Sequence, residues 1–442
     1  MLIRQTLPRS PWIWALTVAA LFAVIQVPSA PGRFYPDSTQ YLAQTYDLLG
    51  ETPQAGREKT IQAFCDAYRR PRLINAGERI GQDPEPAARK ADECVTELRR
   101  QGTLVTENRY GPGITRGSAI LSPRYEDIFR SRPAVAVLYA PGVAAFGART
   151  GMWLTTLVAT LFGSLLTFLL LRVVGSSVTA SVLGQILFLI LPHRYWTMAP
   201  LAEGITMTLI VVCLLGVAYA VTDRTRRGFL VMAAGFGTGL FVKYSQFLIF
   251  ALALAVTAIV AAVAARRAGR PVRALLLVAC VSVIAAVAQV AVAKGLGWPG
   301  GTETMQDLAT EHFRKPDVPD PVYQWFRTNA FFWAWWISEQ LRDPLMLFTW
   351  AVAAGGVLLS RTAIGFGIFA ALLAGLGNQV GHPNASQADR LYLVAWLLVA
   401  CGLPLLVDTV RHHRAAAGRA RTSPRGDDQP VPVPRASIGE RL

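Results

Sequence analysis

The sequence predicts an all-α polytopic membrane protein with about ten transmembrane helices and a large helical first extracytoplasmic loop. Of its 442 residues, 52% are hydrophobic and only 16% are charged, and the mean hydropathy is +0.36. This composition excludes an ordinary soluble domain. The net charge of +15 comes largely from Arg residues in short loops and in the C-terminal segment. We therefore attribute it to membrane orientation and predict no nucleic-acid partner.

Apolar windows define the predicted spans, several of which are near the lower length limit of about 17 residues. They lie near residues 12–28, 152–172, 177–192, 203–222, 229–243, 246–265, 272–293, 343–360, 363–378 and 390–408. Another apolar stretch, Pro133 to Phe146, is expected to be broken at Pro141 and Gly142, and we interpret it as a membrane-surface or re-entrant segment. The first span resembles a signal peptide, but we expect it to remain as an anchor.

Basic clusters set the predicted orientation. They follow the even-numbered spans, at Arg172, 224–227, 266–270, Arg361 and 411–414. Because Lys and Arg are enriched in cytoplasmic loops, ten spans place all of these clusters and both termini in the cytoplasm. Residues 1–410 then form the multispanning domain, with extracytoplasmic loops at 29–151 and 294–342. We predict that the tail, 411–442, is cytoplasmic and disordered because it lacks apolar periodicity.

The five cysteines divide into two groups. Cys213, Cys280 and Cys401 lie within predicted spans, where they are most simply packing residues. Cys65 and Cys94 lie in the first outer loop, in an oxidising compartment. A disulfide between them would close a loop of about 30 residues and contribute roughly 3 kcal/mol. Two free thiols are the alternative.

Asp37 follows the first span closely, in the segment Tyr35-Pro36-Asp37-Ser38-Thr39-Gln40-Tyr41. Pro at a helix start followed by an acid matches helix-initiation preferences, so Asp37 can be a first-turn residue with no further role. It also lies at the membrane edge among aromatic residues. A carboxylate there is desolvated, which raises its proton affinity and suits a general base.

Most ionisable residues that are not explained by cytoplasmic loops collect at the same outer rim. They are Asp37, His193, Arg194, Glu203, Lys243, His382, Asp389 and Arg390. Charge beside hydrocarbon is costly, so such a cluster is by default a functional-site hypothesis. Purely structural roles stay open as alternatives. His193 and Arg194 can belong to an interfacial belt with snorkelling charges, and Lys243 can be an interfacial anchor. Arg390 can snorkel, bind phosphate or pair with Asp389.

Further basic residues lie before the Pro133–Phe146 segment, at Arg124, Arg130 and Arg132. Arg side chains at a membrane surface bind lipid phosphates or anchor to headgroups. We favour the anchoring role for most of them.

Five segments occur in a distinctive order on this one side of the membrane. They are Tyr35 to Tyr41, Pro133 to Gly147, Pro200 to Glu203, Gly237 to Lys243, and Asp389 to Tyr392. In order and position they resemble the motifs of the C-type (GT-C) glycosyltransferases, multispanning enzymes that use polyprenyl-phosphate sugars. The resemblance covers residues 1 to about 410. The chain departs from the family by having a single acid at Asp37, no second outer-loop acid motif and no large C-terminal outer domain.

The resemblance implies a membrane glycosyltransferase with a polyprenyl-phosphate sugar donor and an extracytoplasmic glycan, lipid or protein acceptor. Asp37 would be the general base. The donor phosphate would contact Lys243, Arg194, Arg390 and His193, and the substrates would contact Tyr41, Glu203, His382 and Asp389. We expect no cofactor and no metal, because a divalent ion needs more oxygen ligands than Asp37 and Glu203 supply.

Two other functions stay open at this point. A transporter or flippase of lipid-linked sugars also needs a polar membrane cavity, but it is expected to have helices broken in mid-span. A non-catalytic envelope-assembly protein could keep the same fold without needing Asp37. Detection of sugar transfer, as opposed to substrate movement, distinguishes an enzyme from a transporter.

Overall fold

A computed structural model describes residues 10–29, 34–69, 85–106, 123–222, 224–313 and 315–422. Within these ranges the secondary structure is helical, with no strand, so the predicted all-α class is confirmed. Residues 423–442 of the predicted tail lie outside the described ranges.

The first half of the chain contains nine α-helices within the described ranges. They are α1 (Pro11–Gln26), α2 (Pro36–Leu48), α3 (Pro53–Cys65), α4 (Glu85–Thr106), α5 (Pro123–Arg130), α6 (Pro133–Phe146), α7 (Ala148–Val173), α8 (Val178–Ile190) and α9 (Arg194–Thr197). The rest of the described chain adds α10 (Glu203–Val221), α11 (Thr225–Arg267), α12 (Arg273–Gly295), α13 (Gly301–Ala309), α14 (Pro321–Arg342), α15 (Leu345–Ser360), α16 (Gly365–Gly381), α17 (Ala388–Leu391) and α18 (Leu397–Thr422).

Five helical segments of the described chain are long and apolar enough to cross a membrane: α7, α10, α11, α12 and Leu393–Ala415. Helices α14 and α15 meet at 87° and add a sixth if the bent pair is one span. Helices α1, α6, α8 and α16 are apolar but shorter. These helices support a membrane protein, while the count of ten spans and the sidedness of the termini stay predictions.

Helix α11 is folded back on itself at Lys243, which has an extended backbone conformation (φ −164°, ψ 71°). The rings of Phe236 and Phe250 are 5.8 Å apart, although 14 residues span about 21 Å in a straight helix. The segment is therefore two helical arms that pack side by side. The arms correspond to the predicted segments 229–243 and 246–265, and Lys243 lies at the fold between them.

The Pro133–Phe146 segment is a continuous helix, so the expected break at Pro141 and Gly142 is absent. Gly142 packs directly against Gly151 of α7. Small residues let two helix backbones approach closely. The close crossing therefore accounts for a glycine at position 142 inside a continuous helix.

Replacement of Gly151 by Ala should destabilise the fold. An added Cβ would lie 2.2 Å from the backbone of Gly142, so the two helices would have to separate. We expect a loss of about 1–3 kcal/mol, the usual effect of overpacking, measured by thermal unfolding in detergent. Gly237→Ala is the matched control, because a Cβ there meets nothing within 4 Å. Equal melting temperatures for the two variants would contradict the close crossing.

The last helix is longer than predicted. It continues to Thr422, so residues 411–422 are helical and the expectation of disorder is wrong for this part. Ala and Arg in this segment are strong helix formers, and basic residues are favourable near a helix C-terminus. Helix continuation needs no apolar periodicity, which is why the pattern was misleading.

Cys65 and Cys94 form a disulfide that joins α3 to α4, with a Cα–Cα distance of 5.6 Å. Arg99 of α4 also pairs with Glu58 of α3. The predicted disulfide between Cys65 and Cys94 is thus confirmed, while the side of the membrane on which it lies stays a prediction.

Peptide mapping without reductant should recover Cys65 and Cys94 as one cross-linked peptide pair. Cys65→Ser should lower the free energy of unfolding by roughly 3 kcal/mol, the value expected for a loop of this length. Cys280→Ser serves as the control, because Cys280 is an exposed free thiol. Both outer-loop cysteines reacting with an alkylating reagent in native membranes would refute the pairing.

An apolar cluster packs α2 and α6 against the start of α10. Tyr41 and Leu42 of α2 and Tyr139 of α6 are fully buried in it together with Leu201. The Tyr139 hydroxyl donates to the Leu201 carbonyl at 2.8 Å. This packing places the start of α2 beside the start of α10.

Candidate active site

Four charged side chains from distant parts of the sequence form one buried cluster. Arg390 Nη2 is 2.6 Å from Asp37 Oδ2, and Arg390 Nε donates to Glu203 Oε1 at 2.6 Å. Lys243 Nζ donates to the same Glu203 oxygen at 3.2 Å. The structure therefore brings together four of the residues that the sequence placed at one rim.

Each member of the cluster lies where a helix begins, folds back or is very short. Asp37 is in the first turn of α2, after Pro36. Glu203 is the first residue of α10, where the helix dipole favours a carboxylate. Lys243 is at the fold of α11, and Arg390 is in the short helix α17. The side chains thus converge from four separate elements.

Asp37 is the more accessible carboxylate of the cluster. Its side chain is 15% exposed, whereas Glu203 is fully buried between Arg390 and Lys243. A molecule that enters from outside can thus contact Asp37, while Glu203 is placed to hold the two cations in position. A first-turn role and a chemical role for Asp37 are compatible in this geometry.

Arg132 adds a further positive charge next to the cluster. It donates to the Tyr41 hydroxyl at 2.8 Å, and its guanidinium lies 5.2 Å from the centre of the Phe129 ring. Its charge acts on both Asp37 and Glu203. Two carboxylates facing three cations leave an excess positive charge, which suits an anionic ligand.

The sequence pattern groups Arg132 with the headgroup anchors and does not predict its place in the site. The available signal was its position immediately before the apolar helix α6, on the same rim as Asp37. Tyr41, which was predicted to contact substrate, is instead buried beneath Arg132. Burial, with a contribution from the nearby carboxylates, raises the pKa of Tyr41 to about 12, so its phenol stays neutral.

The predicted phosphate clamp of His193 and Arg194 does not form. His193 is 1% exposed and packs edge-on against Phe188, with ring centres 5.4 Å apart. Arg194 is exposed and makes no ion pair with Asp37, Glu203 or Asp389 within the described chain. Adjacent residues point to different environments here because they lie at the start of the one-turn helix α9.

Asp389 is hydrogen-bonded to the Tyr392 hydroxyl. Arg390 therefore pairs with Asp37 and Glu203, and the alternative of a pair with its sequence neighbour Asp389 is not observed. Asp389 is exposed and remains accessible to a substrate.

His382 is half-buried, and burial lowers the pKa of its imidazole below the ordinary value. Charges on Asp307 and His312 also act on it. His312 Nδ1 is 3.0 Å from Asp307 Oδ1, in a turn where three consecutive residues have positive φ. The sequence does not indicate Asp307 or His312 as neighbours of the site, because neither belongs to a recognisable motif.

Among the residues that the structure describes, no group of three or more His, Cys, Asp and Glu side chains could hold a metal ion. The expectation of a metal-independent site stays a prediction. The chemistry available in the cluster is acid–base chemistry at Asp37 and stabilisation of negative charge by Arg132, Lys243 and Arg390.

No family model, no curated protein and no solved structure matches this chain. The features that bear on its function are therefore the geometry of the cluster and the order of the motifs along the sequence.

Proposed function

We propose that the protein is a membrane glycosyltransferase that moves a sugar from a polyprenyl-phosphate donor to an extracytoplasmic acceptor. One observation carries the proposal: the accessible carboxylate of Asp37 is held by Arg390 in a buried, cation-rich cluster. The cluster joins an outer-loop helix to the ends of apolar helices, where a lipid-linked substrate would be presented.

The proposed reaction uses Asp37 as the general base. Asp37 takes the proton of the acceptor hydroxyl while that oxygen forms a bond to the anomeric carbon of the donor sugar. The bond between this carbon and the phosphate oxygen breaks, and polyprenyl phosphate leaves with the electron pair. The nearby cations stabilise its negative charge.

The contacts refine which cation binds the donor phosphate. Lys243 and Arg390 already pair with carboxylates, so a phosphate must share them. Arg132 donates to the neutral phenol of Tyr41, and exchange of that bond for a phosphate leaves no carboxylate without its cation. We therefore assign the main phosphate contact to Arg132, with Arg390 adjacent. The predicted contact of Arg194 with the donor phosphate is kept as part of the proposal.

The fold of α11 favours an enzyme over a transporter. Discontinuous helices of transporters carry their break near the middle of the bilayer. The break at Lys243 instead separates two arms, 225–242 and 244–267, which are about 27 and 36 Å long by helix rise. Each arm falls within the range of about 17–25 residues of a membrane span, which supports a break at a membrane edge.

The test is a transfer assay in proteoliposomes with radiolabelled polyprenyl-phosphate mannose, glucose and arabinose as donors. Glycans and lipids extracted from the native envelope serve as acceptors. The proposal expects release of polyprenyl phosphate together with label in an acceptor. Donor movement across the bilayer without transfer would identify a transporter, and the absence of both would favour a non-catalytic assembly protein.

A further inference from the structure

Helix α2 carries a polar stripe that begins at Asp37 and runs away from the charge cluster. Gln40, Gln44 and Asp47 follow Asp37 at spacings of three or four residues. Such spacings place side chains on one face of an α-helix. The stripe is about 15 Å long by helix rise, which is longer than one sugar needs.

A cavity of about 300 Å³ lies along this stripe. Four residues of α2 line it (Gln40, Gln44, Asp47 and Leu48), with Glu126 and Arg130 of α5 and Pro133, Ala136 and Val137 of α6. Its volume is at the lower end of the range of about 300–1,000 Å³ that is usual for ligand pockets. The cavity starts one helical turn from Asp37 and is separate from the charge cluster.

Among the residues that line the cavity, Glu126 gives the main indication of a ligand. Its side chain is only 4% exposed, and one oxygen is 3.6 Å from Arg130. The other oxygen, Oε1, is buried and has no hydrogen-bond partner within the described residues. A buried polar atom without a partner is unfavourable by about 1–3 kcal/mol, and a bound hydroxyl would supply the missing hydrogen bond.

The lining fits a neutral ligand that is rich in hydroxyl groups. Two amides, two carboxyls and a guanidinium offer both donors and acceptors, and Leu48, Ala136 and Val137 give an apolar wall for carbon-bound hydrogens. Burial raises the pKa of Glu126 to about 7, so its carboxyl can donate as well as accept near neutral pH. The opposite charges of Asp47 and Arg130 leave no strong field for a phosphate or a cation.

We propose that this cavity binds sugar residues of an oligosaccharide acceptor whose terminal hydroxyl reaches Asp37. The assignment of the sugar as an acceptor rests on the proposed function. The binding of a neutral oligosaccharide does not, because it depends only on the cavity.

The test is binding of neutral trisaccharides of glucose, mannose, galactose and arabinose to the detergent-purified protein. Saturation-transfer NMR detects contact, and titration gives the affinity. Val137→Trp fills the cavity, and Leu138→Trp is the control on the next residue of the same helix. Both positions are exposed, at 55% and 42%, and Leu138 does not line the cavity, so both variants should fold.

At least one trisaccharide should bind, and Val137→Trp should weaken it at least about tenfold through steric exclusion. Leu138→Trp should bind it like the unmodified protein. No binding of any trisaccharide, or equal binding by Val137→Trp, would overturn the proposal. If the protein binds a trisaccharide, Val137→Trp abolishes that binding and no sugar is transferred, the cavity is a sugar-binding site but the transferase function is rejected.

Discussion

Replacement of Arg390 by Gln should be the most destabilising change in the charge cluster. Arg390 is the shared cation of Asp37 and Glu203. Its loss leaves Asp37 without this ion pair and leaves Glu203 paired with Lys243 alone. Removal of one member of a buried ion pair is unfavourable by about 3–5 kcal/mol. Thermal unfolding in detergent should show the loss, and sugar transfer should be lost with it.

Two further variants show whether geometry or charge accounts for the effect. Arg390→Lys keeps the charge but cannot place two nitrogens on two carboxylates at once. Its melting temperature should therefore lie between those of the unmodified protein and Arg390→Gln. Arg342→Gln is the control for an exposed pair, since Arg342 is 74% exposed beside Glu339, and it should change stability by no more than about 1 kcal/mol. A similarly small change for Arg390→Gln would show that the cluster does not stabilise the fold.

Asp37→Asn should abolish transfer while leaving the protein folded. Asn keeps the size and polarity of Asp but cannot take a proton from the acceptor. The rate should fall by at least about a hundredfold, the usual effect of losing a general base. Arg390 keeps Glu203 as a partner, so the melting temperature should change much less than in Arg390→Gln.

Asp320→Asn is the matched control, because Asp320 is an exposed acid at the start of a helix beside Pro321. It should transfer sugar at the normal rate. Near-normal turnover by a folded Asp37→Asn protein would remove Asp37 from the mechanism. A parallel fall of activity and melting temperature would instead identify Asp37 as a first-turn residue whose effect is structural.

The sequence predicted the membership of the cluster better than its contacts. Asp37, Glu203, Lys243 and Arg390 could be assigned to one rim because positive-inside counting fixes the side of every span end. The partner of Arg390 could not be read in this way. Asp389 is adjacent in sequence, yet the helix geometry of α17 turns Arg390 toward Asp37, which is nearly the whole chain away.

The remaining errors share a physical origin. Proline and glycine at 141 and 142 predicted a break, but the close approach of α7 at Gly151 favours a continuous helix. Arg132 looked like a headgroup anchor because its partner, Tyr41, is brought to it only by tertiary packing. Local patterns report the preferences of the backbone, whereas each of these outcomes depends on a neighbour distant in sequence.

The pairing of Asp37 with Arg390 also links the site to the synthesis of the chain. Asp37 leaves the ribosome well before Arg390, which emerges only after helices α2 to α16 have been made. Until then Asp37 has no guanidinium partner, and Glu203 has only Lys243. The four-residue cluster can therefore be completed only after α17 has been made.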